Sequence, residues 1–323
     1  MASPLPRVSV ALCVHDGERW LREQLDSVLA QQGVDLDVVA LDDASNVGSL
    51  ALLREYAERD PRVRVEVNET NLGHLRSFEK CMSLCTADFI APCDQDDVWE
   101  PTKLATLVAA IGDADLAYCD SAYVDDAGRS LGKRLSEDVG PMIAGNDPLR
   151  FVFGNTVSGH ALLVRRAAFE SAKPFPTLLF HDWWLALRAA AGNGVVYVDE
   201  PLVRFRRHAA ASSSAGKGAD GEVRRRRSSS HNKRWLAQQG YVFEQLSYVT
   251  WFPRSVADRW LYALLAGEHG KVGPLLRVIW RYRVSLPQVS GGHEVSAMAY
   301  FFKCANKVFR AKRERSFYGP LFK

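Results

Sequence analysis

Apolar residues in the first third of the chain alternate between continuous runs and stripes that recur every three or four positions. Four runs have the length of buried strands, and they span 8–14, 36–41, 63–67 and 89–92. Between the runs lie helical stripes, such as Leu21, Leu25 and Val28, whose spacing places them on one helix face. This alternation predicts an α/β fold with a doubly wound, mostly parallel sheet and right-handed crossovers.

Three polar clusters begin where the apolar runs stop. They are His15-Asp16-Gly17, Asp42-Asp43-Ala44-Ser45 and Asp94-Gln95-Asp96-Asp97. In open α/β sheets ligands bind outside the carboxyl ends of the strands, so the clusters predict one binding site at that edge. A second interpretation is that some of these residues, Ser45 or Asp43 among them, only cap the following helices.

The last cluster places three carboxylates within four residues. Because like charges this close repel one another, a divalent cation would stabilise Asp94, Asp96 and Asp97 in their ionised form. Hard cations such as Mg²⁺ and Mn²⁺ prefer carboxylate oxygens and keep positions open for substrate phosphates. The alternative is a solvated acidic turn.

Composition describes an ordinary globular protein, because 47% of its 323 residues are hydrophobic and 24% are charged. Six cysteines form no CxxC pair, which favours small core residues in a reducing cytosol. The first six residues lack a signal segment, and no run of about 18 apolar residues occurs. We therefore expect a cytoplasmic protein.

The second half of the chain changes character. Residues 209–221 are small, polar and rich in glycine and serine, and Arg224–Arg227 extends this segment with positive charge. Helical stripes return from Trp235 onward. The sequence predicts an α/β domain over 1–212, a basic flexible linker over 213–234 and a helical region over 235–323.

Several separated motifs together resemble the family 2 glycosyltransferases, which are inverting enzymes of the GT-A fold. They span residues 7–210 and occur in the family's order: Val8–Gln31, Asp42–Ser45, Asn71-Leu72-Gly73, Asp94–Trp99 with Pro101 and Lys103, and His181-Asp182-Trp183. The run Asp-Gln-Asp-Asp-Val-Trp is most similar to rhamnosyltransferase-type members. His15-Asp16 departs from the Tyr-Asn pair that many members carry.

The resemblance implies a nucleoside-diphosphate sugar as donor, linked to dTDP or UDP. Asp43 would accept the pyrimidine N–H, and Asp96 with His208 would hold Mn²⁺ or Mg²⁺. Arg206 could clamp diphosphate oxygens. The donor-binding residues that it implies are Val14, His15, Asp16, Glu18, Asp42, Asp43, Asp94, Gln95, Asp96 and Arg206.

The resemblance also implies an acceptor side. Asp182 would be the general base that removes the proton of an acceptor hydroxyl, and its aromatic neighbours would raise its pKa by desolvation. His160, Trp183 and Trp184 would contact the acceptor. The alternatives are an N-cap role for Asp182 and core packing for one of the two tryptophans.

The expected function is metal-dependent transfer of a sugar, L-rhamnose by resemblance, to a hydroxyl of a cell-surface glycan or a lipid-linked acceptor. A non-catalytic sugar-nucleotide-binding or assembly module stays open as an alternative. A nucleotidyltransferase is disfavoured, because His15-Asp16-Gly17-Glu18 replaces its glycine-rich phosphate loop. The absence of GxGxxG after the first predicted strand argues against a dehydrogenase.

The C-terminal region interleaves basic and aromatic residues, for example Arg277, Trp280 and Arg281. Such a pattern is typical of helices at an anionic membrane surface, which would place the protein peripherally at the inner face of the plasma membrane. Packing on the catalytic domain or forming a homo-oligomer through these helices is the other interpretation. No nucleic-acid-binding motif occurs, so no nucleic acid partner is expected.

Overall fold

The computed structural model describes residues 4–152, 154–177, 179–208, 239–268, 272–283, 289–290, 293–294 and 296–312. The chain divides into two compact units, one of residues 1–148 and 155–214 and one of residues 149–154 and 215–323. The predicted linker over 213–234 lies outside the described residues.

The first unit contains a nine-stranded sheet and most of the helices. Its strands are β1 (Arg7–Val14), β2 (Asp35–Asp42), β3 (Val63–Val67), β4 (Phe89–Cys93), β5 (Val98–Trp99), β6 (Leu116–Val124), β7 (Ser130–Arg134), β8 (Leu162–Arg165) and β9 (Val195–Arg206). Its helices are α1 (Glu18–Leu29), α2 (Val47–Arg59), α3 (His74–Ser83), α4 (Lys103–Ile111), α5 (Leu135–Val139), α7 (Arg166–Ala172) and α8 (His181–Ala191).

The sheet confirms the predicted α/β architecture in its first half. Its strand order is β3-β2-β1-β4-β8-β6-β9-β5, and β7 pairs with β6. Strand β1 pairs in parallel with β2 on one side and with β4 on the other, with Val14 opposite Asp42 and Leu12 opposite Cys93. This register brings the three polar clusters to one edge, because all three follow the carboxyl ends of adjacent parallel strands.

The second half adds antiparallel pairs that the early alternation does not show. Strand β8 runs antiparallel to both β4 and β6, and β5 runs antiparallel to β9. Strand β9 returns to a parallel pairing with β6, with register shifts near Asp120. The sheet is therefore mixed, and the long β9 carries the chain back beside the acidic loop.

Burial on both faces explains why the sequences of the first strands are continuous apolar runs. Val8, Val10 and Leu12 of β1 are fully buried, as are Leu21 and Leu25 of α1. A strand buried on both faces has no polar side to alternate with. The helices thus cover both faces and leave the strand ends as the polar edge.

The second unit is helical, as expected for the C-terminal region. It contains α6 (Leu149–Val152), a helical segment over 239–248, α9 (Arg254–Glu268), α10 (Val272–Arg281), α11 (Ala297–Lys312) and a hairpin of β10 (Val289–Ser290) and β11 (His293–Glu294). Buried Phe243 and Trp260 stack with ring centroids 5.1 Å apart. Within the described residues, no helix combines the length and apolar character needed to cross a bilayer.

Candidate functional site

The loop after β1 and the acidic loop after β4 are joined by a reciprocal pair of hydrogen bonds. The His15 backbone N–H donates to Gln95 Oε1 at 2.8 Å, and Gln95 Nε2 donates to the His15 carbonyl at 3.0 Å. A Cβ at Gly17 would lie 2.4 Å from Gln95 Oε1, so this close approach requires glycine. Gln95 therefore fixes the distance between the two loops.

The loops after β1 and β2 are likewise tied together. Asp16 Oδ1 accepts the backbone N–H of Asn46 at 2.8 Å, and Ser45 Oγ accepts the backbone N–H of Asp16 at 3.1 Å. Buried Asp42 accepts the backbone N–H of Ser45 at 3.0 Å. Glu18 lies against Gly48 in the first turn of α2, where a Cβ would come within 2.0 Å of Glu18 Oε2.

Asp43 is held in its ionised form by three donors. Its carboxylate accepts hydrogen bonds from Asn68 Nδ2 and from the backbone N–H groups of Leu72 and Gly73, at 2.8, 2.8 and 3.0 Å. Burial alone would raise its pKa, but these donors lower the pKa of Asp43 below its usual value. They also fix the Asn71-Leu72-Gly73 turn, and Asn71 Nδ2 lies 3.0 Å from His15 Nε2.

Asp96 and His208, which the resemblance predicts as metal ligands, are in direct contact. His208 Nε2 lies 2.7 Å from Asp96 Oδ2, and the Trp20 and His208 ring centroids are 4.2 Å apart. Burial and the charge of Asp94 raise the pKa of Asp96, and the bond to His208 only partly opposes this. The carboxylate and the imidazole therefore converge on one point at the end of β9.

A second group of side chains that can ligate a metal ion combines two residues of the same loop with a histidine from elsewhere in the chain. Asp94, Asp97 and His160 offer ligand atoms that all lie within 4.8 Å of one another. His160 Nδ1 is 3.7 Å from Asp97 Oδ2 and 4.0 Å from Asp94 Oδ2. Among the residues that the structure describes, Asp97 Oδ2 is buried without a hydrogen-bond partner. His160, predicted on the acceptor side, therefore lies beside the carboxylates of the acidic loop.

Both groups fit a divalent cation by their chemistry. Carboxylate oxygens are the ligands of Mg²⁺ and Mn²⁺, and imidazole is accepted more readily by Mn²⁺. The buried Asp97 oxygen supports a positively charged occupant, because a buried acceptor without a donor is costly. Buried Lys103 lies below this group, donating from Nζ to the His160 carbonyl at 2.6 Å, and burial lowers its pKa to about 8.

Arg206 is buried and stabilises the acidic loop through hydrogen bonds. Its side chain is only 1% exposed, and it donates from Nε to the Asp96 carbonyl at 2.9 Å. The same guanidinium donates to the Asp126 carbonyl at 2.9 Å and to Glu23 Oε2 at 2.6 Å. Its backbone N–H donates to Asp97 Oδ1 at 3.0 Å. These contacts position the loop, whereas contact with a donor diphosphate stays a prediction.

Asp182 lies in the first turn of α8, where N–H groups face its carboxylate. Asn155 Nδ2 donates to Oδ1 and the Gly159 backbone N–H donates to Oδ2, each at 3.2 Å, and the Trp183 backbone N–H also donates to Oδ1. Burial nevertheless raises the pKa of Asp182 to about 7, with a smaller contribution from the charge of Asp94. A carboxylate with such a pKa can accept a proton near neutral pH.

His74 connects the acidic loop with the start of α8. Its Nε2 lies 3.8 Å from Asp94 Oδ1, and its ring centroid is 5.1 Å from that of His181. Burial opposes ionisation of Asp94, but His74 and the neighbouring histidines lower its pKa to about 2. Asp94 and Asp182 therefore belong to one electrostatic environment, in which the first carries the charge and the second can take up a proton.

The two tryptophans after Asp182 differ in their surroundings. Trp184 is 1% exposed and donates from Nε1 to the Ala172 carbonyl at 2.7 Å, which is a core-packing contact. Trp183 is partly exposed. Of the two, Trp183 is thus the one with surface left for an acceptor.

Sequence reasoning missed two residues that complete the site, His74 and Asn155. His74 directly follows the Asn71-Leu72-Gly73 motif, so its position in the sequence was a usable signal. Asn155 lies in a segment without periodicity, and only the fold brings its amide to Asp182.

Comparisons with known proteins agree with this geometry. The family described as Glycosyl transferase family 2 matches residues 9–171, about half of the 323 residues. The O-antigen biosynthesis protein RfbC of Myxococcus xanthus is 32% identical over 224 residues, covering 67% of this chain and 17% of that protein. The putative glycosyltransferase EpsE of Bacillus subtilis is 35% identical over 105 residues, covering 32% and 38%. The chain therefore spans well under two thirds of these relatives.

Solved structures show a similar fold. The S. aureus protein TarS 1-349 in complex with UDP-GlcNAc superposes with a TM-score of 0.59 at 15% sequence identity, covering 95% of this chain and 89% of that one. The same protein in complex with UDP gives a TM-score of 0.56 at 14% identity with the same coverage. At this level of identity the likeness shows the fold.

Proposed function

The chain belongs to glycosyl transferase family 2, and we propose that it is an inverting enzyme that transfers a sugar from a nucleoside diphosphate to an acceptor hydroxyl. The observation that carries this proposal is that Asp182 lies in the same electrostatic environment as the acidic loop, with His74 interacting with both Asp94 and Asp182. A carboxylate with a pKa of about 7 shares an electrostatic environment with Asp94, at the carboxyl edge of the parallel strands. A single displacement needs a proton acceptor next to the site that binds the sugar donor.

The donor side supports a pyrimidine nucleotide. An ionised Asp43 can accept the N3–H of uracil or thymine, and the loops that hold His15, Asp16 and Gln95 surround that edge. We propose dTDP- or UDP-linked sugars as donors, with L-rhamnose suggested by the form of the acidic run. The similar S. aureus protein is described in complex with UDP-GlcNAc, which supports the nucleotide-sugar class.

A divalent ion, Mn²⁺ or Mg²⁺, completes this proposal. Asp96 and His208 would hold it, with Asp94, Asp97 and His160 as the adjoining group. The ion would supply Lewis-acid neutralisation of the leaving diphosphate. The protein's own part is to present carboxylate ligands on a loop that Arg206 holds in place, with the imidazoles of His208 and His160 beside that loop.

Asp182 supplies the proton chemistry in this proposal. As the bond from the acceptor oxygen to the anomeric carbon forms, the bond from that carbon to the diphosphate oxygen breaks. The hydroxyl proton passes to the Asp182 carboxylate, and attack opposite the leaving group inverts the anomeric centre. Asn155 and the Gly159 backbone N–H orient this carboxylate.

The acceptor proposed is a hydroxyl of a cell-surface glycan or of a lipid-linked precursor. The Myxococcus xanthus relative carries O-antigen biosynthesis in its name, which supports this class for the present chain. We propose a cytoplasmic location, with contact at the inner face of the membrane where a lipid-linked acceptor would lie. Self-association through the C-terminal helices is a further proposal.

The experiment that tests the function compares Asp182→Asn with the unchanged protein. Release of nucleoside diphosphate from dTDP-rhamnose and UDP-sugars is followed with Mn²⁺, with and without glycan acceptors. We expect acceptor-dependent release to fall at least 100-fold, since a positioned base contributes about 10²–10⁴-fold. Nucleotide affinity should stay within about twofold.

A non-catalytic module is the competing interpretation, and the same experiment separates the two. An active unchanged protein with an equally active Asp182→Asn variant would remove Asp182 from the role of base. Nucleotide binding without transfer from any donor would favour the module. Loss of nucleotide binding in the variant would indicate a structural role for Asp182.

A further inference from the structure

A groove with a basic rim lies between α9 and α10 of the second unit. Its volume is ≈ 550 Å³, and its lining includes three arginines, Arg259, Arg277 and Arg281, together with Tyr262 and Trp280. The floor is apolar and includes Ala263 and Val278. No residue of the candidate functional site contributes to this groove, and nothing in the transfer chemistry uses it.

The three arginines are exposed, and they have no acidic partner in the part of the chain that the structure describes. Among the residues that the structure describes, none of the three forms an ion pair or donates a hydrogen bond to a carboxylate. Arg254, on the same helix as Arg259, shows the contrast, because its Nε lies 3.7 Å from Asp258 Oδ2. Three uncompensated guanidinium groups around one groove attract an anion, since nothing else on the lining neutralises them.

The aromatic residues at the rim are exposed too. Tyr262 is 68% exposed and Trp280 is 45% exposed. On α10 the opposite face is buried through Leu275 and Ile279, so Arg277 and Arg281 lie on the exposed side of this helix. Trp280 lies at its edge, where the ring contacts Phe301 of α11 at a centroid distance of 5.4 Å and keeps nearly half of its surface exposed. Helices with Trp or Tyr beside arginines on one face are typical of the boundary between lipid headgroups and acyl chains.

We propose that this groove binds the headgroup of an anionic phospholipid and so docks the chain on a membrane surface. Guanidinium groups pair with phosphate oxygens through two parallel hydrogen bonds, which suits an arginine-rimmed groove. A free phosphate ion would leave the apolar floor and the exposed rings uncovered, whereas a phospholipid supplies both the phosphate and the apolar segment next to it. The charge and the apolar floor together select a lipid as the occupant.

The test measures vesicle binding by the full chain and does not depend on transfer activity. Sedimentation is followed with vesicles of phosphatidylcholine alone and of phosphatidylcholine with 30% phosphatidylglycerol. We expect binding only to the anionic vesicles, weakening as NaCl rises from about 0.05 to 0.5 M because the attraction is screened. Equal binding to both vesicle types would overturn the proposal.

Substitutions then locate the binding surface. Arg259→Gln, Arg277→Gln and Arg281→Gln combined should weaken partitioning about 100-fold, since each arginine near such a surface contributes about fivefold. The control removes the same number of positive charges from the first unit, through Arg7→Gln, Arg59→Gln and Arg64→Gln, which are exposed and each lie beside a carboxylate. The control should lose less than about fivefold, and an equal loss in both variants would overturn the assignment to this groove.

A third variant keeps the test independent of charge removal. Tyr262→Ser retains all three arginines and changes only an exposed ring, so folding should be unaffected. We expect about a threefold to tenfold loss, because an interfacial aromatic residue contributes on the order of 1 kcal/mol. Competition experiments test the other possible occupants of the groove. Complete release of the protein from anionic vesicles by 20 mM inorganic phosphate would contradict a lipid occupant, and so would binding to a DNA oligonucleotide in preference to vesicles.

Discussion

At the scale of single residues, two opposing effects determine the protonation of the Asp182 carboxylate. Burial and the charge of Asp94 favour the protonated form, whereas the N–H groups of Asn155, Gly159 and Trp183 favour the ionised form. The result is a pKa near neutrality with the lone pairs held in fixed directions. A base needs both properties, because geometry and pKa each limit proton transfer.

The pH dependence of transfer tests this balance. Since the base must be ionised, the rate should rise with pH through about 7 and level off above it. Asn155→Ala removes a donor to the carboxylate, so the pKa of Asp182 rises and the midpoint moves upward. A hydrogen bond to a charged group contributes about 1.5 kcal/mol, which corresponds to about one pH unit. The measurement is kcat from pH 5 to 9.

The control for this prediction is Asn193→Ala. Asn193 also donates to a carboxylate, that of Asp115 at 3.0 Å, but this pair takes no part in the proposed chemistry. Its pH profile should match that of the unchanged protein. His74 and Asp94 face Asp182 and stay unaltered in both variants. An Asn155→Ala profile with an unmoved midpoint would show that Asn155 does not act through Asp182.

Two histidines compete for the role of metal ligand, and substitution distinguishes them. His208→Ala should weaken Mn²⁺-dependent nucleotide binding by at least tenfold, since it removes a ligand beside Asp96. His160→Ala should change this affinity less if the ion lies between Asp96 and His208. Titration calorimetry with and without Mn²⁺ gives both values. The reverse order would move the ion to Asp94, Asp97 and His160.

Residue roles could be predicted where the resemblance to the family supplies a motif. It predicts Asp96 and His208 as a metal-binding pair, and the fold places the two side chains in contact. Asn155 and His74 were not found, because neither belongs to one of the family motifs, although His74 directly follows one. Their roles depend on side-chain contacts that periodicity does not encode.

At the scale of elements, the start of α8 is positioned by a glycine. A Cβ at Gly159 would lie 2.5 Å from His181 Nε2, so Gly159→Ala should displace the His181 ring and with it Asp182. We expect kcat to fall at least tenfold and stability to fall by about 1–3 kcal/mol through overpacking. Chemical unfolding and transfer assays measure the two effects.

A double variant tests whether contact with the His181 ring causes the loss of stability in Gly159→Ala. Replacing the ring in Gly159→Ala/His181→Ser removes the contact and should recover part of the lost stability. Gly240→Ala serves as the control, because a Cβ there meets nothing within 4 Å and alanine favours a helix. A double variant as unstable as the sum of the single variants would exclude this contact as the cause.

Elements could be predicted well where their pattern is strong. The four apolar runs of the first 93 residues correspond to β1–β4, because continuous burial leaves a clear signal. The antiparallel β8 has only four residues and follows a turn without periodicity, and β5 has two. Such strands are defined by their neighbours in the sheet, so the mixed half could not be derived from the sequence.

At the scale of the whole molecule, the two units carry different chemistry. The first unit gathers the carboxylates of the acidic loop at the sheet edge, and the second presents a groove rimmed by arginines. The charge asymmetry along the chain was visible in the sequence. That residues 149–154 group with the second unit was not, because this short segment precedes most of that unit by more than 60 residues.

The central claim is that the first unit binds a pyrimidine nucleoside diphosphate with the help of a metal ion. Titration calorimetry of the full chain with dTDP, UDP and GDP, each with Mn²⁺ and with chelator, tests it most directly. We predict micromolar binding of dTDP or UDP that weakens at least tenfold with chelator, and much weaker binding of GDP. Equal affinity for all three nucleotides, or no binding by the folded protein, would contradict the account.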